Sequence, residues 1–307
     1  MEDNSISIDV GYGHVKCMYK SKIAKFQSSI CFATDVGNTY GEENIYDFEG
    51  DKYYVGKEAS DGEAFSTSDY KFLYKFAPLL IYHVLSKFNE VDLKEPIILT
   101  SGLAMADWNN RDEFIERLSA ITVNDRTINL EVNLVPQGAG CAMDWVYYNN
   151  DSEYPDKLTV VDIGYRTINL ANFDSGRPQR KNMKSYPGHG VSSIIKPFTS
   201  FMENKFGVTF SEQEAISIFV KGEFKYNGEA QDDVAEKISE LKSQFVKKMF
   251  QSVLVNDKKL LAMSDVVLIS GGGAYLLQDV PFPPNVQFSE APYEFAQVRG
   301  FATQNLI

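Results

Sequence analysis

The chain reads as an α/β protein built twice, with two halves of one plan set around a cleft. Three observations point there. Its 307 residues exceed one ordinary core and suit two units of about 150 residues each. Short apolar strands followed by helical segments run along the chain once, and the same order begins again near residue 158. Each half also opens on an apolar strand that runs into an aspartate and a glycine turn: "ISIDVGYGHVK" at 6–16 and "LTVVDIGYRTINL" at 158–170.

In the first half, residues 5–10, 14–20 and 23–32 are rich in Ile, Val, Phe and Cys with turn residues between them, which predicts a meander of strands. Residues 33–70 are polar and glycine-rich, so they form a small loop-rich insert with one short strand near "KYYVG". "KFLYKFAPLLIYHVLSKF" places Leu73, Phe76, Leu79, Leu80, Val84 and Phe88 at helical spacing, and a strand follows at "PIILTSG". A second helix opens at Asn110 with Phe114, Ile115, Leu118 and Ile121 on one face. The strand "TINLEVNLVP" then leads into the helix "QGAGCAMDWVYY", entered through Gly138 and Gly140.

The polar stretch "NNDSEYPDK" at 149–157 marks a domain crossing. Beyond it come strands at 158–163 and 167–173, helices near 190–206 and 211–221, and a long helix from Asp232 to about Leu254 with Val234, Ile238, Leu241, Phe245, Met249 and Val253 on its buried face. The strand "DVVLIS", the turn "GGGA" and a last helix from Pro292 to Gln304 complete the chain. The expected domains are 1–150, to which 291–307 returns, and 151–290.

Composition limits the functions. With 44% hydrophobic and 13% aromatic residues the chain can bury a substantial core. Its 42 acidic and 30 basic side chains give a charge of −12, and no run of Lys or Arg suggests a nucleic-acid groove, so direct DNA binding is not expected. "MEDNSIS" lacks the pattern of a signal peptide, and no apolar stretch is long enough to span a bilayer; the expectation is a cytoplasmic protein without a membrane partner. Cys17, Cys31 and Cys141 lack the paired spacing of zinc or disulfide frameworks and read as reduced core thiols.

An Asp-x-Gly turn carries specific chemistry. Glycine reaches positive φ and has no Cβ, so consecutive backbone N–H groups can approach a phosphate. The aspartate shares that space and suits a hydrated Mg²⁺, which needs only one or two carboxylates. One such turn is also a common hairpin; two, from opposite halves, can grip one polyphosphate from both sides.

Three further stretches sharpen the pattern: "VPQGAG" at 135–140, "LISGGGA" at 268–274 and "FAQVRGFA" at 295–302. With these five motifs in order, the chain resembles the actin, heat-shock chaperone and sugar kinase superfamily, whose duplicated fold is ribonuclease H-like. "YYVGKEA", "ILTSGLA" and "VPQGAG" make it similar to the ParM-like branch of bacterial and archaeal actin-like proteins. The resemblance implies that Asp9, Gly11 and Gly13 form a first phosphate turn, with Lys16 reaching the β- or γ-phosphate, and that Asp162, Gly164 and Thr167 form the second. Tyr12, Tyr165 and Arg166 belong to the same turns. Asp9 and Asp162 would hold Mg²⁺ through water, Gln137 would position the attacking water, and Gly271, Gly272 and Gly273 would pack against the adenosine of ATP. A neutral amide is a poor base, so hydrolysis should be slow.

The second turn departs from many relatives in carrying Tyr165 and Arg166 where small residues are usual, which leaves Arg166 either stabilising phosphate charge or facing solvent. Asn169 stands where many relatives have an aspartate. "GDKYYVGKE" at 50–58 imitates a Walker A loop, but five residues separate Gly50 from Gly56 and Glu58 replaces the Mg²⁺-binding hydroxyl. His14, His83 and His189 form no local metal-ligand pair. The resemblance implies an ATPase that polymerises with itself into nucleotide-dependent filaments, for plasmid segregation or another cytoskeletal role, with DNA cargo held through a basic adaptor protein. A small-metabolite kinase and a non-polymerising ATP-binding scaffold are the alternatives.

Overall fold

The computed structural model describes residues 4–36, 40–62, 64, 65, 70–88, 90–149 and 154–303. The first half contains β1 (Ser5–Val10), β2 (His14–Tyr19), β3 (Lys22–Gln27), β4 (Ile30–Phe32), α1 (Ala33–Val36), β5 (Tyr46–Phe48), β6 (Asp51–Val55), α2 (Tyr70–Lys87), β7 (Ile97–Leu103), α3 (Arg111–Ser119), β8 (Ala120–Val123), β9 (Arg126–Pro136) and α4 (Ala139–Tyr148). The second half contains β10 (Lys157–Ile163), β11 (Thr167–Asp174), β12 (Arg177–Pro178), β13 (Lys184–Pro187), α5 (Ser192–Phe206), α6 (Glu212–Lys221), β14 (Lys225–Tyr226), β15 (Glu229–Ala230), α7 (Asp232–Met249), α8 (Lys258–Ala262), β16 (Val266–Ser270), β17 (Val286–Phe288) and α9 (Ala296–Thr303).

Each half is built on one sheet whose core strand runs into an Asp-x-Gly turn. In the first, the order is β3-β2-β1-β7-β9-β8; β1 pairs antiparallel with β2 and parallel with β7. In the second, β12-β11-β10-β16-β17 repeats the plan, with β10 antiparallel to β11 and parallel to β16. A strand buried on both faces reads as a continuous apolar run, as β16 (VVLIS) does; β1 is also buried from Ile6 to Val10, although it alternates Ile and Val with Ser and Asp. Ile6, Ile8, Leu79, Ile81 and Leu99 lie in the first core; Val161, Ile163, Phe198, Phe245 and Ile269 lie in the second.

Helices α4 and α9 join the halves. Cys141, Ala142 and Trp145 of α4 pack on Leu158, Val160 and Leu268 of the second sheet, while α9 lies against α4, β1, β2 and β7. The two helices cross in backbone contact. A Cβ on Gly300 would stand 1.7 Å from the Gly140 carbonyl oxygen, and one on Gly140 would stand 2.2 Å from that of Gln297. At these two positions only glycine fits. A bidentate ion pair secures the crossing: Arg299 Nε and Nη2 donate to Asp144 at 2.9 and 2.7 Å, and Arg299 Nη1 donates to the Pro292 carbonyl.

Five expectations are corrected. The run 23–32 is two strands, because Ser28 leaves the sheet to donate its amide to the Gly13 carbonyl and its hydroxyl to that of Gly11. The insert holds two strands rather than one, and β4-β6-β5 forms a separate three-stranded sheet. Ile121 lies in β8, not in the preceding helix, since Asn124 and Asp125 at φ 51° and 56° make the tight turn that pairs β8 with β9. The long helix is α-helical only to Met249 and continues as a π-helical turn over Phe250–Leu254. The last helix begins with a 3₁₀ turn at Tyr293–Phe295, and Gln304, at its expected end, lies outside the described residues. The expected crossing at 149–157 likewise falls partly outside them. "GDKYYVGKE" is β6 and its flanking turns.

Candidate functional site

Between the halves lies a cleft of about 380 Å³. All the residues expected to bind nucleotide or metal line it: Asp9, Gly11, Tyr12, Gly13, Lys16, Gln137, Asp162, Gly164, Tyr165, Arg166, Thr167, Gly271, Gly272 and Gly273. The ends of β1, β9, β10 and β16 converge there, the usual ligand position outside the carboxyl ends of sheet strands.

The first turn links β1 to β2 and is held from below by Ser28. The second links β10 to β11 and is held by the start of α5: the amides of Val191 and Ser192 donate to the carbonyls of Gly164 and Tyr165, and Gly188 and Gly190 donate to that of Arg166. The Gly164 amide donates to the Thr167 carbonyl at 2.9 Å, so with these carbonyls engaged the amides of Tyr165 and Arg166 are the groups the turn offers a bound anion. The turns meet directly, because a Cβ on Gly13 would lie 2.9 Å from that of Tyr165. The Tyr165 hydroxyl donates to Glu212 of α6, which anchors the contact.

Electrostatics favour an anion with a cation beside it. Against a whole-chain charge of −12, the lining carries four cationic side chains (Lys16, Lys25, Arg166, Lys242) and three carboxylates (Asp9, Asp162, Glu294). Lys16 Nζ pairs with Asp9 Oδ2 at 3.0 Å. Burial disfavours the Lys16 charge, but Asp9, Asp162 and Glu294 outweigh it and raise its pKa. Burial and the Asp9 charge push the Asp162 carboxyl up to about 6, against the pull of Lys16 and Asn169. Asp9 Oδ1 is buried with no partner among the described residues. Two carboxylates repelling each other across the cleft, one with an orphaned oxygen, fit a hydrated divalent cation. Burial, with Lys16 and Lys25 adding to it, lowers His14 to about 4, so it is neutral at pH 7 and a poor cation for the anion.

Gln137 is placed by the bond from its amide to the Leu103 carbonyl at 2.9 Å. Asn169 Nδ2 donates to Gln137 Oε1 at a long 3.4 Å, and Ser185 donates to Asn169 Oδ1 at 2.7 Å. Asn169 therefore touches the proposed water-positioning residue. Arg166 lines the cleft, and its Nε is buried without a partner among the described residues. The three glycines differ in what they do. A Cβ on Gly271, at φ 84°, would sit 2.4 Å from Asp162 Oδ1, and one on Gly273 would sit 2.2 Å from Ile163 Cγ2, so both are required by the close approach to β10. Of the three, only Gly272 has room for a Cβ, which would meet Glu294 Cβ at an ordinary contact distance of 3.8 Å.

Several lining residues carry no mark in the sequence. Ile216, Phe219 and Val220 of α6 form an apolar wall, although their spacing reads as ordinary core. Lys25 pairs with Glu294 at 2.9 Å, and Tyr275 donates to the same carboxylate at 3.1 Å. These residues come from β3, the turn before α9 and the turn after β16, so no local motif could join them. Among the described residues no group of three or more His, Cys, Asp or Glu forms a metal centre, and no helix is long and apolar enough to cross a membrane. All three cysteines are free and buried.

Two halves of one plan present matched Asp-x-Gly turns to a shared cleft. Residues 7–140 match the model of the N-terminal domain of actin-like proteins, and residues 160–280 match that of the C-terminal domain of the archaeal, MreB-like actin homologues. The chain belongs to the actin-like proteins of bacteria and archaea. No curated protein sequence matches it. Among solved structures, the archaeal actin homologue Ta0583 in complex with ADP is 17% identical with a TM-score of 0.78, covering 99% of both chains. A subunit of a 15-stranded ParM filament from Clostridium botulinum is 18% identical with a TM-score of 0.76, covering 98% of both. ParM from Bacillus thuringiensis with AMPPNP is 13% identical with a TM-score of 0.70, covering 97% of both.

Proposed function

We propose that the protein binds Mg-ATP in the cleft, hydrolyses it slowly and polymerises into filaments whose assembly follows the nucleotide. One observation carries this reading: fourteen residues named from four separate motifs line one cleft, with the two phosphate turns in contact across it. The ADP and AMPPNP complexes among the structural neighbours support a nucleotide as the ligand, and the ParM filament supports self-association.

In this mechanism the turn amides, Lys16 and Arg166 take the phosphates, and Asp9 and Asp162 hold Mg²⁺ through its waters. The cation neutralises phosphate charge when bound. Gly272 and the apolar wall of Ile216 and Phe219 receive the adenosine. Gln137 orients the attacking water through its amide; it cannot remove the proton strongly, which keeps the step slow. The angle between the halves then follows what fills the cleft, and head-to-tail contacts that do not close give a filament. A transferase to a metabolite hydroxyl would need a free carboxylate base; the remaining acid of the cleft, Glu294, is engaged by Lys25 and Tyr275. We place the protein in the cytoplasm, with any DNA cargo held through a basic adaptor, because the chain's −12 charge opposes direct contact. Phosphate release from Mg-ATP by the purified protein tests the reading; no binding of Mg-ATP at millimolar concentration would refute it.

A further inference from the structure

We propose that Gln297 is a positioning residue that fixes the start of α4 and thereby Gln137, an inference that rests on the hydrolytic reading above. Gln297 lies on α9, 6% exposed, and lines the cleft. Its Oε1 accepts three bonds at 3.2 Å: from the Gly138 amide, the Cys141 amide and the Cys141 thiol. The first turn of a helix leaves its amides unpaired, and a buried helix start needs an acceptor from elsewhere. Gly138 is the N-terminal cap of α4, at φ 89°, and it has no side chain with which to cap. Gln297 supplies the missing acceptor from a different helix, 159 residues away.

The residue so held is the immediate neighbour of Gln137. Both side chains also flank Gly102 of β7: the point where its Cβ would lie is 3.3 Å from Gln297 Nε2 and 3.5 Å from Gln137 Cγ. Three donors on Oε1 settle the orientation of the amide, since the reversed amide would set N–H against N–H. Its Nε2 is then buried with no partner among the described residues, facing the space beside Gln137. Because α9 crosses α4 in backbone contact at Gly140 and Gly300, any change in the crossing moves the acceptor relative to the amides it holds. Gln297 thus ties the geometry of the water-positioning residue to the joint between the halves.

Gln297→Leu and Gln297→Glu separate this role from plain packing. Leucine removes the acceptor, whereas glutamate keeps an acceptor for the same two amides at a helix start that favours negative charge. Hydrogen exchange of the segment 137–142 is measured in the nucleotide-free protein, and affinity for a fluorescent ATP analogue and the rate of phosphate release are measured with Mg-ATP. The expected result is faster exchange and a release rate lowered at least about 10-fold in the leucine variant, with affinity within about threefold of the parent. The glutamate variant should keep the protection and recover the rate to within about threefold of the parent. A leucine variant with parental exchange and rate, or a glutamate variant as slow as leucine, would overturn the positioning role. If the unaltered protein itself releases no phosphate, the hydrolytic reading fails instead, and the exchange data still report whether Gln297 caps α4.

Discussion

Gly300→Ala strikes the joint between the halves. The added methyl would lie 1.7 Å from the Gly140 carbonyl oxygen, 2.5 Å from its carbonyl carbon and 2.8 Å from its Cα, all backbone that no rotamer can move. Reaching ordinary contact requires α9 and α4 to part by about 1.5 Å or more, since Cβ atoms seldom approach other heavy atoms within about 3.4 Å. That shift stretches the 3.2 Å bonds from Gly138 and Cys141 to Gln297 past their useful range. Overpacking costs about 1–3 kcal/mol, and two buried amides left unpaired add about 1 kcal/mol or more each. The expected loss is about 4 kcal/mol, partly offset by the gain in helix propensity of about 1 kcal/mol. Denaturant unfolding of Gly300→Ala beside Gly272→Ala measures it. The control places its methyl without a clash, at an ordinary contact distance of 3.8 Å from Glu294 Cβ, and should cost under about 1 kcal/mol. A Gly300→Ala protein within 1 kcal/mol of the parent would refute the backbone-contact crossing.

Asp162→Ala should abolish Mg-dependent ATP hydrolysis while leaving the melting temperature of the empty protein unchanged or higher, because burial and Asp9 already disfavour that carboxylate; a marked drop in melting temperature would contradict this. Gln137→Ala should slow phosphate release about 10- to 100-fold and spare nucleotide affinity, as loss of orientation alone does; release at the parental rate would remove Gln137 from its assigned role. Burial lowers His83 to about 4, and the ring pairs with the Tyr46 hydroxyl at 2.8 Å. Its folded pKa lies below the unfolded value, so the unfolded chain takes up the proton first as pH falls. Stability linked to His83 is complete above pH 7 and falls by about 2 kcal/mol between pH 8 and pH 5. Urea unfolding of His83→Asn across that range should show a correspondingly shallower pH dependence, and identical slopes in the two proteins would show that His83 does not titrate this way.

The parts of the site that were legible in the sequence are those where chemistry demands a residue type locally. An aspartate and glycine closing an apolar strand, and three glycines closing another, mark backbone that must pass close to something, whatever that something is. The sequence did not say that Gly271 and Gly273 serve the approach to Asp162 and Ile163 rather than the ligand. Ser28 sits in the short polar run Gln27-Ser28-Ser29 between two apolar stretches, but its role stayed hidden because its bonds go to a turn many residues earlier. Ile121 continued a helical spacing past Ser119, yet the turn at Asn124 and Asp125 made a hairpin and drew it into β8. Gln297 is a polar residue in a helix and reads as solvent-facing until its partners at Gly138 and Cys141 are brought beside it. Pairing between distant elements is a property of topology, which local pattern does not encode.

Light scattering of the purified protein on addition of Mg-ATP, with phosphate release followed in the same cuvette and Mg-ADP as the control, tests the central claim most directly. The account predicts scattering that rises before phosphate release, decays as ATP is exhausted, and does not rise with Mg-ADP. Binding or hydrolysis without any rise, across a wide range of protein concentration, would contradict filament formation and move the assignment to an acceptor-directed kinase or a non-polymerising scaffold.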